Sequence, residues 1–259
     1  MRAMTIEAPE MEPRDVPDPQ DAIRVREVSR SFQSKRGLVH ALAGMSLRAS
    51  DGETVAVVGP SGCGKTTLLE LVCGLQSPDE GSLESAPAAL MPQRDALLPW
   101  CSALDNASLA LRARGIDRAQ ARAKAAPWLE GFGLREFAHA RPGQLSGGMR
   151  QRVSFLRTLL AGKPVLALDE PFASLDAITR QEMQGWLAHV LASERRTVLL
   201  VTHDVEEAVV LADRLVVMSP RPGRAVGELE IELPRPRRRT DPDVVALREQ
   251  ALAALGVRG

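Results

Sequence analysis

At 259 residues the chain has room for one large domain, or for one domain carrying an inserted subdomain. It is 44% hydrophobic and 25% charged, enough to bury a full core, and 33 basic residues balance 33 acidic ones, which excludes the global positive field of a nucleic-acid binder. Aromatic residues make up 3% of the chain with no Tyr, which removes the stacking platforms of single-strand binders, and no apolar run approaches the ~18 residues that span a bilayer.

Residues 1–20 are polar, acidic and proline-containing, the composition of a disordered leader and not of a targeting peptide. Apolar alternation over 22–28 and 38–49 predicts two β segments, separated by a loop over Ser31–Gly37. Phe32 lies in that loop and is the aromatic best placed to stack on a base, although a core role reads almost as well. Next comes an apolar β-type run, Thr54–Val58, followed by Gly59-Pro60-Ser61-Gly62-Cys63-Gly64-Lys65-Thr66-Thr67 and an apolar-periodic stretch to Gly74. Strand, Gly-rich turn and helix start form the context in which G-x-x-x-x-G-K-[ST] binds phosphate. The glycines let backbone N–H groups turn inward around phosphate oxygens, and the helix N-terminus adds a positive dipole end. Lys65 is placed to reach the β- and γ-phosphates of a nucleotide, and Thr66 to offer its hydroxyl to Mg²⁺. Of the basic residues, 29 are Arg and four are Lys, a usage that reads as genomic base composition and points to a bacterial source. Lys65 is therefore informative: a compact ammonium stands where this chain otherwise writes Arg. The cysteines, Cys63, Cys73 and Cys101, have no metal-ligand or CxxC spacing and read as reduced cytoplasmic thiols. Cys63 sits inside the phosphate loop, either open to oxidation or simply a small residue filling a turn.

Beyond a turn at Ser77–Gly81, short strands are expected at Ser82–Glu84 and Ala88–Met91, with Gln93 just after the second. From Asp95 to about Leu145 the composition shifts to Ala, Leu and Arg with helical periodicity, with helices at Leu104–Ala113 and Arg118–Glu130, the latter capped by Asp117. Gly147–Leu160 is a further helix. Val165–Leu168 is an apolar strand ending in Asp169-Glu170, as expected for a buried parallel strand. Helix 177–192, strand Thr197–Val201, helix 204–212 and strand Leu215–Met218 continue the alternation, which argues for a mostly parallel sheet with ligands at the strand C-terminal ends. Gly59, Asp169 and His203 all fall just beyond such ends. A strand-like Gly227–Leu233, the basic run Arg235–Arg239 and a helix over about 241–255 complete the chain, the basic run reading either as a solvated face or as a contact for anionic headgroups.

Several stretches then read together: Gln93 after its strand; Leu145-Ser146-Gly147-Gly148-Met-Arg-Gln-Arg152 opening a helix; Asp169-Glu170-Pro171; Ser174-Leu175-Asp176; and Thr202-His203-Asp204. In order they resemble the glutamine loop, signature motif, second nucleotide motif, aspartate loop and switch histidine of ATP-binding cassette (ABC) ATPases, over about Ala22 to Arg224. The resemblance implies an α/β fold, a P-loop NTPase core (21–94 and 146–232) with a mostly parallel sheet, an N-terminal antiparallel β part and an inserted helical subdomain (95–145), followed by a basic linker and helix (233–259). It implies ATP and Mg²⁺, with the nucleotide held by Phe32, the loop Gly59–Thr67 and, from a second subunit, Ser146, Gly147, Gly148 and Asp176. Glu170, His203, Gln93 and Lys65 carry the catalysis, and Thr66, Gln93 and Asp169 the metal.

The implied assembly is a homodimer with ATP sandwiched at its interface, on the cytoplasmic face of the cell membrane. Its partners are permease subunits, met near the apolar Leu97, Leu98 and Trp100, and an extracytoplasmic solute-binding protein. Gln93-Arg-Asp-Ala-Leu-Leu-Pro-Trp100 and Pro220-Arg-Pro-Gly-Arg224 look most like the importer branch for nitrate, sulfonates and taurine, with relatives for thiamine pyrimidine precursors. Two departures stand out: Phe32 replaces the more usual Tyr, and the chain is short between Leu83 and Gln93. A soluble ABC ATPase acting on ribosomes or DNA is the rival reading. Such proteins carry two cassettes or a long coiled coil, for which this chain has no room, and its zero net charge argues against a nucleic-acid partner.

Overall fold

A computed structural model describes residues 21–256 apart from 36, 174, 194 and 195. The expected leader over 1–20 and Ser174 of the aspartate loop therefore lie outside the described residues. The strands are β1 (Asp21–Ser34), β2 (Gly37–Ser50), β3 (Thr54–Val58), β4 (Glu80–Ser85), β5 (Ala88–Met91), β6 (Val165–Asp169), β7 (Thr197–Thr202), β8 (Arg214–Met218) and β9 (Ala225–Glu230). The α-helices are α1 (Lys65–Val72), α2 (Ala103–Ala113), α3 (Arg118–Gly131), α4 (Gly147–Leu160), α5 (Ala177–Ser193), α6 (Val205–Leu211) and α7 (Pro242–Ala254). The chain divides into two compact units: Pro19–Gln93 with Lys163–Pro171 and Met183–Gly259, and Arg94–Gly162 with Phe172–Glu182.

In the first unit the described residues form a three-stranded antiparallel sheet, order β2-β1-β4, and a six-stranded sheet, order β5-β6-β7-β3-β8-β9. The larger sheet is parallel except for β9. Its central strands are fully buried and nearly all apolar, TVAVV in β3 and VLALD in β6, as a parallel sheet covered on both faces requires. The core joins these strands to Leu68, Leu69 and Val72 of α1 and to Ile23, Val28 and Met45 of the hairpin. Each such side chain stabilises the fold by about 1.5–3 kcal/mol through area removed from water. Register then sets the site: Val58 pairs with Thr202, Asp169 with Val201, and Met91 with Leu168. The C-terminal ends of β5, β6, β7 and β3 thus lie level and side by side.

Two boundaries differ from the sequence expectation. Phe32 lies inside β1, paired with Val39, and not in a loop. Polar Ser31, Gln33 and Ser34 hide the strand from any apolar pattern, but the backbone ladder continues to Ser34 opposite Gly37. Strand β9 starts and stops earlier than Gly227–Leu233, because it can pair only along β8, from Met218 opposite Ala225 to Arg214 opposite Glu230.

The basic run after β9 turns alternate arginines inward. Arg235 pairs with Asp213, and Arg239 with Glu206 at 2.8 Å and Gln184 at 2.7 Å. Arg237 is buried and donates to the carbonyls of Val209, Ala212, Ile231 and Leu233, which closes the C-terminal end of α6. Burial pushes its guanidinium down to about 10.

In the second unit α2, α3 and α4 pack together, so the unit runs to Gly162 where composition had put a boundary at Leu145. The glycines at 147 and 148 change the local composition, but the buried face of α4, Val153, Phe155, Leu156 and Leu159, belongs to the helical core. Phe155 has its ring centroid 6.1 Å from Phe132 and 6.5 Å from Phe172. Asp105 staples α2 to α3, accepting from Arg122 at 2.7 and 2.9 Å and from Arg118 at 3.2 Å. The predicted cap holds: Asp117 accepts from the N–H groups of Ala119 and Gln120.

Candidate functional site

The phosphate-loop motif forms the turn between β3 and α1. Gly64 adopts φ +108° as the residue preceding α1, and a Cβ there would lie 2.6 Å from the Ala41 carbonyl, so only glycine closes this turn. Lys65 is buried and its ammonium donates to the carbonyls of Gly59 at 2.7 Å and Pro60 at 3.1 Å. A cavity of about 320 Å³ lies against this loop, lined among others by Phe32, Ser61, Gly62, Gly64, Lys65, Thr66, Thr67, Gln93, Asp169 and Glu170. Cys63 is 1% exposed, and burial raises its thiol, so it is a packing residue and not an open nucleophile.

The level strand ends bring the remaining polar groups together. Thr66 donates its hydroxyl to Asp169 Oδ2 at 2.8 Å. Burial and the neighbouring Glu170 push the Asp169 carboxyl up, against the Thr66 hydrogen bond and the Lys65 charge. Glu170 follows with φ +47°, a left-handed conformation that costs a non-glycine residue about 1 kcal/mol or more. Its N–H donates to the Val201 carbonyl at 2.8 Å, which ties the turn to β7. Two side chains then converge on one carboxylate oxygen: Gln93 Nε2 donates to Glu170 Oε2 at 3.2 Å, and His203 Nδ1 lies 3.2 Å from the same atom. Gln93, Glu170 and His203 come from the ends of β5, β6 and β7. A carboxylate held this way can accept a proton from water, and its partners can orient that water.

The donor set suits a hard cation. Thr66 hydroxyl, Asp169 carboxylate and Gln93 amide are all oxygen donors, the preference of Mg²⁺. Among the described residues no group of three His, Cys, Asp or Glu could cage a metal by itself.

Phe32 lines the cavity, but Arg30 already sits over its ring, 5.1 Å from the centroid, held there by Asp79 at 2.6 Å. Arg221 also lines the cavity and escaped the motif reading. Its only sequence signal is the Pro220–Arg224 stretch, which reads as a branch marker and not as a site. In the helical unit Ser146 caps α4 by accepting from Met149 N–H, and Gly148 is tight, since a Cβ there would lie 3.2 Å from Leu175 Cδ2. Asp176 begins α5, accepting from the N–H groups of Ile178 and Thr179 and from the Thr179 hydroxyl, and these bonds hold its carboxyl below the usual range. The apolar stretch Leu97, Leu98 and Trp100 does not form one exposed patch: Leu97 is buried, Leu98 half-buried, and Trp100 is 70% exposed. Asn106 explains the difference, because it fastens this segment to α2, accepting from Leu98 N–H and donating to the Leu98 and Cys101 carbonyls.

A family model described as ABC transporter matches residues 42–173. The taurine import ATP-binding protein TauB of Chromobacterium violaceum is 46% identical over 230 residues, 82% of this chain and 88% of the relative. The nitrate import ATP-binding protein NrtD of Synechococcus elongatus is 43% identical over 241 residues, 87% and 88% of the two chains. Among solved structures, the dimeric post-hydrolysis state of the ATP-binding cassette MJ0796 bound to ADP and Pi has a TM-score of 0.75 and 26% identity, covering 82% of this chain and 99% of that one.

Proposed function

Because this chain belongs to the ABC transporter family, we propose that it is the ATP-hydrolysing subunit of a bacterial importer, driving uptake of a small solute through a separate permease. The observation that carries the catalytic reading is the convergence of Gln93 and His203 on Glu170 Oε2 beside the Thr66–Asp169 pair. The backbone N–H groups of Gly59–Thr67 cradle the phosphates of ATP, and Lys65 turns its ammonium toward the β- and γ-phosphates. Glu170 accepts the proton of the water that attacks the γ-phosphorus, while Gln93 and His203 hold that water and the carboxylate in line. Thr66, Asp169 and Gln93 would hold Mg²⁺, which when bound neutralises charge on the phosphate oxygens.

Ser146, Gly147 and Gly148 start a helix of 14 residues, an anion site for the nucleotide of a second copy, with Asp176 bridging the two copies. Relatives named for taurine and nitrate import support a solute of the nitrate, sulfonate, taurine or pyrimidine-precursor type, delivered by an extracytoplasmic binding protein. Trp100 supports the permease contact, and its burden falls on that exposed indole, since Leu97 faces inward. Among the described residues no helix is long and apolar enough to cross a membrane. The relatives named as import ATP-binding proteins support a peripheral place on the cytoplasmic face.

The test has two arms. A purified chain should release phosphate from ATP, with Glu170→Gln lowering kcat by about 10²–10⁴-fold while ATP still binds. Affinity purification from solubilised membranes should bring down a polytopic permease. Ribosomal or DNA-repair proteins in its place would sink the importer reading.

A further inference from the structure

The loop between β8 and β9 brings to the nucleotide cavity an arginine that the catalytic reading leaves unused. Arg221 lines the cavity alongside Gly62, Lys65 and Thr66. Its Nε–H donates to the Gly62 carbonyl at 2.8 Å, across 159 positions of sequence. Gly62 is at φ +75°, and a Cβ on it would lie 2.9 Å from Arg221 Nη2, so the guanidinium rests against the tip of the phosphate loop. An exposed arginine is ordinarily a solvated surface charge. This one is presented by a braced loop. Gly223 N–H donates to the Ala41 carbonyl at 2.9 Å and Ala43 N–H to the Gly223 carbonyl at 3.2 Å, while Ser219 and Arg224 close the loop on each other at 2.9 and 3.1 Å. Gly223 itself admits no side chain, since a Cβ would lie 2.2 Å from the Cys63 carbonyl and 2.4 Å from Met218 Cε. Among the described residues the guanidinium makes only the Gly62 hydrogen bond, which leaves the N–H donors of both Nη atoms to a ligand in the cavity.

We propose that Arg221 is a second cation of the nucleotide site: Nε holds the tip of the phosphate loop, and the Nη groups bind a phosphate oxygen of the nucleotide. The proposal rests on the ATP-site reading above. A planar fork with two usable edges can serve a carbonyl along one edge and a phosphate along the other in fixed geometry. Lys65 already spends donors on the Gly59 and Pro60 carbonyls, so a second source of positive charge at the same loop has work to do.

The experiment is isothermal titration of the full chain with ATP, ADP and AMP at low and high salt, for wild type and for Arg221→Gln, Arg221→Lys and Lys65→Ala. Gln can still donate to the Gly62 carbonyl but carries no charge. The expected result for Arg221→Gln is about a tenfold loss of ATP affinity. AMP binding should change less, the salt dependence should flatten, and Arg221→Lys should recover part of the loss. In turnover, KM for ATP should rise while kcat at saturation stays within about twofold. ATP affinity and salt dependence unchanged in Arg221→Gln would overturn the proposal. So would an equal loss for all three nucleotides accompanied by a lower Tm, which would make Arg221 a structural brace. A wild-type chain that does not bind ATP, or one in which Lys65→Ala changes nothing, would bring down the nucleotide-site reading and the proposal with it.

Discussion

At Asp169 the proposed function and the stability of the fold oppose each other. Its carboxyl is buried, and burial together with Glu170 pushes it up from its ordinary value against the Thr66 hydrogen bond. A folded-state value raised above the unfolded value of about 3.9 means that the fold prefers the neutral acid. Stability therefore falls as pH rises from the unfolded value through the folded one. Asp169→Asn keeps an acceptor for the Thr66 hydroxyl and removes the charge. It should raise the Tm of the nucleotide-free chain while lowering ATPase turnover by at least about 10²-fold. A melting curve and a phosphate-release assay on the same sample check both halves, and a lowered Tm would contradict the account. The motif residues at these strand ends stand out in the sequence because they lie in contiguous stretches. Arg221 does not, because its meaning depends on Gly62, 159 positions away.

At the scale of elements, two arginine–acceptor clusters hold helices in place. In the helical unit Arg122, Arg118 and Ser102 hold the Asp105 carboxyl well below the ordinary range, against the burial that raises it. A depressed folded-state value contributes stability that is present above about pH 4 and is lost as pH falls toward the folded value. Because Arg118 is 61% and Arg122 35% exposed, the solvent screens part of this, and Asp105→Asn should cost about 1–2 kcal/mol at neutral pH. The gap between variant and wild type should narrow as denaturation is repeated below pH 4. In the other unit Arg237 closes α6, the helix that follows His203, on the carbonyls of Val209 and Ala212. Arg237→Leu strands those acceptors in a buried setting and should cost about 3 kcal/mol by urea denaturation, with Arg237→Lys recovering little because the fork is lost. Helix and strand positions followed well from periodicity. What they failed to show was membership: the apolar face of α4 joins the helical core, and alternate arginines of a run that reads as surface charge or a headgroup contact turn inward.

For the whole molecule, the signature residues Ser146–Gly148 and the nucleotide cavity belong to different compact units, and the proposed function joins them across two copies of the chain. Glu170→Gln with ATP should therefore elute as a dimer in size-exclusion chromatography, wild type with ADP as a monomer, and Gly148→Asp should abolish the dimer without weakening ATP binding. A Glu170→Gln chain that binds ATP and stays monomeric would refute the two-copy site. Local pattern was enough to single out the Gly59–Thr67 motif, the Asp169-Glu170 pair, His203 at a strand end and the alternation of strand and helix, because each needs only neighbours in the chain. It took the three-dimensional fold to show that Gln93 and His203 meet on one oxygen of Glu170, that Arg221 donates to the Gly62 carbonyl, that Phe32 lies in a strand under Arg30, and that Leu97 turns inward while Trp100 stays out. Those outcomes depend on strand order and register, which bring distant residues level, and on burial, which no single stretch of sequence specifies.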